Sequence, residues 1–220
     1  MNMKPMLPDP ITERLRRSGV VAVVTIEDPD DAGPVARALL AGGVGAIELT
    51  FRTARAAEAL RRIRVEVPEM LAGAGTLLTR AQVEVALEAG ALFGVAPGCN
   101  PATIAAAREC GLPFAPGVMT PTDMEIALEQ QCRVLKYFPA TNLAGPAALE
   151  TMAAPFAHLG VRFIPLGGIN LASLPAWLPS PSVLCVGGSW LAPREVIQRR
   201  DWAAVRRNAE QAAEVVRARK

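Results

Sequence analysis

Short apolar runs alternate with longer amphipathic stretches along most of the chain. The runs fall at Val20–Ile26, Ala46–Thr50, Met70–Ala74, Leu92–Ala96, Pro113–Ala115, Val134–Phe138, Arg162–Leu166 and Val183–Val186. Each has the length of a strand, and the stretches between them have helical period, so the pattern predicts eight strand-then-helix units. Punctuation agrees with this reading. Asp28-Pro29, Asn100-Pro101 and Thr120-Pro121 each look like an N-cap followed by proline at the first helical position. Gly42, Gly90 and Gly111 stand where helices should end. A further helix is expected over Asp201–Arg219, and a short one over Ile11–Arg17 is expected to cap the floor of the fold. Eight such units without a composition break favour an α/β chain folded as one closed (β/α)8 TIM barrel, with residues 1–220 forming a single domain. An open doubly wound sheet usually carries G-x-G-x-x-G after its first strand, and here EDPDDAG follows instead.

Composition narrows the function classes. Apolar residues make up 51% of the 220 and charged residues 20%, enough to bury a full core. The net charge is +2 with no basic stripe and no interleaved aromatics, so nucleic acid is not an expected partner. The opening residues MNMKPMLPDP hold no apolar core of a leader, and no apolar run reaches membrane-spanning length, so no membrane association is expected. Cys99, Cys110, Cys132 and Cys185 form no C-x-x-C pair and fit no zinc ribbon. Free thiols point to a reducing, cytoplasmic setting. Cys99 follows Pro97-Gly98 at a strand end, near where a site would lie. His158 is the single histidine, which rules out a His-rich zinc or iron centre and leaves a Ser-His-Asp triad dependent on that one residue. No metal and no cofactor is expected.

In a (β/α)8 barrel the active site lies at the C-terminal ends of the strands. Polar and glycine-rich positions do gather there. Lys136 lies inside VLKYF, where alternation puts it on one face with Val134 and Phe138. Glu48 lies inside AIELT on one face with Ala46 and Thr50. A lysine in an apolar strand is costly to bury as an ammonium. Desolvation favours the free amine, which can attack a carbonyl, and a nearby carboxylate can move protons for it. The alternative is a buried ion pair that only joins two strands, a weak device for stability. Arg52, just past its strand, suits recognition of a carboxylate or phosphate, or is an exposed charge on the next helix. GAGT ends the third strand at Thr76. Two glycine turns, Leu166-Gly167-Gly168 and Gly187-Gly188-Ser189, follow the last two strands, where such barrels commonly bind phosphate. Glycine lets the backbone approach the anion, and Ser189 adds a hydroxyl.

The stretches AIELTFRT, GAGT, GVMTPTDMEIALE, VLKYFPA, GGIN and VLCVGGSW, in that order along nearly the whole chain, resemble those of the KDPG/KHG aldolase family, the 2-keto-3-deoxy-6-phosphogluconate aldolases. The resemblance implies a homotrimeric (β/α)8 barrel acting on a small phosphorylated 2-keto acid. It implies class I, Schiff-base cleavage to pyruvate and glyceraldehyde 3-phosphate, with 4-hydroxy-2-oxoglutarate as a further substrate. It also implies roles. Lys136 matches the Schiff-base lysine and Glu48 the general acid/base. Arg52 and Thr76 match the residues that hold the keto-acid carboxylate, in a pocket that Pro97 lines. Phe138 matches the aromatic beside the imine, and Gly167, Gly168 and Ser189 the phosphate cradle. Three positions depart from the family pattern. Leu166 replaces a frequent threonine, Thr141 stands where FPAE is common, and Ala96-Pro97-Gly98-Cys99 replaces the usual SPG-hydrophobic. These bear on substrate discrimination rather than on the chemistry. Two rivals remain on the residues alone: a sugar-phosphate isomerase or decarboxylase using Lys136 as a charge, and a non-catalytic metabolite-binding barrel.

Overall fold

The computed structural model describes residues 5–142 and 145–218. Met1–Lys4, part of the opening segment in which no leader is expected, and the last residue of the helix expected to end at Arg219 lie outside the described residues.

The elements follow the expected alternation. Helix α1 (Asp9–Ser18) leads into strand β1 (Val20–Val24), then α2 (Ala32–Ala41), β2 (Ala46–Thr50), α3 (Ala56–Glu66) and β3 (Leu71–Gly75). Next come α4 (Arg80–Glu88), β4 (Gly94–Val95), α5 (Pro101–Cys110), β5 (Phe114–Ala115), β6 (Gly117–Val118), α6 (Pro121–Glu129) and β7 (Val134–Tyr137). The chain continues with α7 (Pro146–Ala153), β8 (Arg162–Pro165), α8 (Leu174–Trp177), β9 (Val186–Gly188), α9 (Arg194–Gln198) and α10 (Trp202–Ala218). All strand pairs are parallel. They form a six-stranded sheet, β5-β4-β3-β2-β1-β9, and a three-stranded sheet, β6-β7-β8. A parallel bridge between Phe163 and Val183 links the second sheet to the segment entering β9. The result is an α/β fold whose parallel strands curl around an interior. Among the described residues no helix is long and apolar enough to cross a membrane.

Three expectations need correction. The fifth expected strand, Pro113–Ala115, is two segments, β5 and β6, broken at Pro116. Proline has no N–H to give to a ladder, but its carbonyl accepts from the Lys136 N–H at 2.8 Å. The last expected strand, Val183–Val186, begins and ends later. Its ladder runs from Val186 to Gly188 against Val20–Ala22, with only the bridge at Val183 before it. Asp28-Pro29 opens a 3-10 turn, Pro29–Asp31, before α2 begins at Ala32. The Asp28 carboxylate accepts from the Asp30 N–H at 3.0 Å, so the capping chemistry holds while the helix type differs. Asn100 and Thr120 cap α5 and α6 as expected, Thr120 in a reciprocal box with Asp123.

Alternation along the strands sorts the core into two parts. Ile47, Leu49, Leu135 and Tyr137 pack under the helices. Val21, Ala46, Leu71, Phe93, Val95, Val134 and Ile164 pack on one another inside the curl. Leu7 and the fully buried Leu15 of α1 join this interior set, at the end where the strands begin. Gly73 has a steric reason to be glycine. A Cβ there would lie 2.3 Å from the Phe93 ring, which fills the space instead.

Candidate active site

β7 and β2 face each other across the interior, and the one inward charged residue of each meets the other in the middle. Lys136 Nζ donates to Glu48 Oε1 at 2.9 Å. Lys136 is 4% exposed and Glu48 2%. Both follow from alternation: Lys136 lies two residues past inward Val134, and Glu48 two past inward Ala46. The fold makes room for the carboxylate at Gly75, where a Cβ would sit 2.1 Å from Glu48 Oε1. Phe138 lies two residues beyond Lys136, its ring centroid 5.5 Å from Nζ, within reach of a cation–π contact. The Cys185 thiol is fully buried. Burial, and then the Glu48 charge, push its pKa up, so it stays a neutral thiol.

Above this pair opens a cavity of about 670 Å³. Lys136, Phe138, Arg52, Gly167, Gly168 and Ser189 all line it, so six of the residues singled out in the sequence share one space. Glu48 reaches it through Lys136. Thr76 is not among the residues lining this cavity, but its hydroxyl accepts from Arg52 Nε at 3.1 Å, and Arg52 does line it. Thr76 has φ +61°, a conformation that costs a β-branched residue on the order of 1–3 kcal/mol. The surrounding structure holds Thr76 in this conformation, with its hydroxyl bonded to the guanidinium. Pro97 is half-buried and is not among the side chains lining this cavity. It lies against Gly117, whose strand partner is Lys136. A Cβ on Gly117 would come within 2.3 Å of the Pro97 carbonyl group.

The two glycine turns differ in what glycine does there. Gly167 and Gly168 both have positive φ, +98° and +78°, which glycine alone adopts freely. Gly168 also faces the Thr141 hydroxyl, 1.9 Å from where a Cβ would be. Gly187 and Gly188 instead clear space. Leu166 packs over the first and the Trp190 ring over the second. Cys99 lies outside the cavity, its thiol pushed up to about 11 by burial.

Four lining residues carry chemistry that the sequence reading did not single out. Thr25 and Thr50 share a hydrogen bond between their hydroxyls at 2.8 Å. Thr25 continues the inward alternation of Val21 and Val23, so strand period alone could have found it. Arg194 and Glu195 also line the cavity, at the start of α9. Nothing in the sequence pattern marks them.

Comparison with known proteins gives concordant results. The family model described as KDPG and KHG aldolase matches residues 11–208. A 2-dehydro-3-deoxy-phosphogluconate aldolase of Treponema pallidum is 44% identical over 206 residues, covering 94% of this chain and 97% of that protein. The crystal structure of 2-keto-3-deoxy-6-phosphogluconate aldolase from Zymomonas mobilis with 3-phosphoglycerate superposes with a TM-score of 0.85 at 40% identity, covering 92% of this chain and 94% of that one. The KDPG aldolase from Legionella pneumophila, with pyruvate captured as a covalent carbinolamine intermediate, gives 0.87 at 33% identity, covering 92% and 97%.

Proposed function

The chain belongs to the KDPG and KHG aldolase family, and from that footing we propose that it cleaves 2-keto-3-deoxy-6-phosphogluconate to pyruvate and glyceraldehyde 3-phosphate through an imine on Lys136. The same centre serves 4-hydroxy-2-oxoglutarate. The observation that carries this reading is the 2.9 Å contact between Lys136 Nζ and Glu48 Oε1 on the cavity floor. It supplies a nucleophile and a proton carrier to one carbonyl carbon.

The steps follow from that contact. Glu48 takes a proton from the Lys136 ammonium, and the free amine attacks C2 of the keto acid. After an N-to-O proton shift, protonated Glu48 returns its proton to the carbinolamine hydroxyl, which leaves as water. The iminium then draws the C3–C4 bonding pair towards nitrogen while Glu48 takes the C4 hydroxyl proton. The aldehyde departs, the enamine takes that proton at C3, and water releases pyruvate. Arg52, steadied by Thr76, holds the carboxylate, and the turns at Gly167, Gly168 and Ser189 hold the phosphate. Phe138 packs beside the imine, and Pro97 backs Gly117, the strand partner of Lys136, from behind. Such positioning lowers the barrier by fixing the reacting atoms before reaction.

Wider features belong to the same reading. The sequence continuity of β5 and β6 across Pro116, and the bridge from β8 to the strand entering β9, support a closed eight-stranded (β/α)8 barrel built by one domain. Leu15 supports α1 as its floor. The homotrimer that the sequence resemblance implies is part of the same proposal, and four free cysteines support a reducing cytoplasm.

Borohydride reduction in the presence of pyruvate tests the proposal. The expected product is a reduced pyruvyl adduct on Lys136. Peptide mapping locates it without ambiguity, because the chain has only two other lysines, Lys4 and Lys220. Lys136→Ala should fold, carry no adduct and lose turnover. An unmodified wild-type protein, or substantial turnover by pure Lys136→Ala, overturns the imine. That result would favour the isomerase, decarboxylase or metabolite-binding readings.

A further inference from the structure

We propose that Arg194 is a second anion-binding arginine, one that takes the phosphate end of the substrate and is held ready by Glu27; the proposal rests on the aldolase reading above. Arg194 lines the same cavity as the two glycine turns and Ser189. Strand order separates it from Arg52. Arg52 and its partner Thr76 follow β2 and β3, whereas Arg194 follows β9, on the far side of β1. The cavity therefore carries one guanidinium on the β2/β3 side and another beside the turns that receive phosphate. A substrate with a carboxylate at one end and a phosphate at the other matches that spacing of charge.

Arg194 does not reach into the cavity unengaged. Its guanidinium donates to the Glu27 carboxylate, in the loop after β1. The two side chains are 60% and 47% exposed, so water and salt screen the pair and it holds weakly. A phosphate dianion offers several acceptor oxygens and is the stronger partner for a planar fork. Glu27 thus competes with the ligand for Arg194 while keeping its side chain over the cavity mouth. The loop does not depend on this pair. Arg200 binds Asp28 at 3.0 Å and Asp31 at 2.9 Å, tying the same loop to the segment after α9. Breaking the Arg194–Glu27 contact leaves that anchor in place.

Opposite substitutions separate a ligand-binding arginine from a structural tie. The probe is inorganic phosphate, its dissociation constant read by phosphorus NMR titration, together with KM for phosphorylated and dephosphorylated 2-keto-3-deoxygluconate. Arg194→Gln should weaken phosphate binding about tenfold, the size of one charge-assisted hydrogen bond, and raise KM for the phosphorylated substrate alone. Arg194→Lys should restore part of the loss. Glu27→Gln should tighten phosphate binding, by about two- to threefold, because a weak exposed competitor is removed. A merely structural pair would make both substitutions act in the same direction. That outcome, or no change in either, overturns the proposal. Pyruvate trapping on Lys136 is read in parallel. Absent trapping in the wild type refutes the aldolase reading itself, whereas normal trapping without the opposite shifts refutes only the role of Arg194.

Discussion

Gly75→Ala should disable Glu48, the proposed proton carrier, while leaving Lys136, the proposed nucleophile, in place. The added methyl would lie 2.1 Å from Glu48 Oε1 and 2.7 Å from both Glu48 Cδ and Cγ. Side-chain Cβ atoms essentially never sit closer than 3.0 Å to a neighbour, so the carboxylate must retreat. The retreat needed is roughly 1 Å, and a misplacement of that size typically costs on the order of a hundredfold in rate. Stability should fall too. Parting a buried ion pair costs about 3–5 kcal/mol when one charge is left alone, and here the carboxylate moves without being deleted, so the loss should be smaller. The assay compares kcat for aldol cleavage with the rate of borohydride trapping by pyruvate and with the unfolding midpoint. The variant should still be trapped on Lys136, more slowly, with kcat down by about a hundredfold. Wild-type kcat in a folded Gly75→Ala protein would refute the reasoning. It would mean that Glu48 does not have to stand where the structure puts it.

Glu48→Gln should lower kcat far more than it weakens pyruvate capture, since the amide keeps the shape and loses the proton; stopped-flow cleavage and trapping on the same preparation decide it. Leu166 lines the cavity immediately before Gly167, and its side chain cannot hydrogen-bond a C4 hydroxyl. Leu166→Thr should therefore sharpen discrimination between the gluco and galacto C4 epimers, and an unchanged ratio of kcat/KM values removes Leu166 from that role. Burial pushes the Cys99 thiol up to about 11 and the Cys132 thiol up to about 12. Both should therefore stay protonated and resist iodoacetamide at neutral pH in the folded protein, and rapid alkylation with loss of activity would contradict their placement.

Much of the site could be read because strand alternation is strict. One charged residue in an otherwise largely apolar run, as in VLKYF and AIELT, has only two faces to choose from, and its apolar neighbours show which is inward. The same logic missed Thr25 only because threonine is at home in any strand. The turn glycines were visible as pairs, but their separate reasons were not. Positive φ at Gly167 and the space that Gly188 leaves for Trp190 are facts of packing. The fifth run, Pro113–Ala115, stops short of Pro116, whereas the chain continues past that proline as β6. Thr76 in a left-handed conformation could not be anticipated, since β-branched residues avoid it. Arg194 and Glu27 are 167 positions apart, and no local pattern brings such residues together. Nor could periodicity tell that Pro97 would lie behind Gly117 rather than in the cavity wall.

The packed interior on the side where the strands begin has a consequence for traffic. Leu7, Leu15, Phe93 and their neighbours fill the space beneath Lys136 and Glu48. In the proposed reaction the imine on Lys136 would rest against this packed floor, and among the described residues the cavity above it is the opening that substrate and product would share. Water needed to free pyruvate would enter by the cavity that the aldehyde leaves. Departure of the first product would thus clear the cavity for the reagent that releases the second.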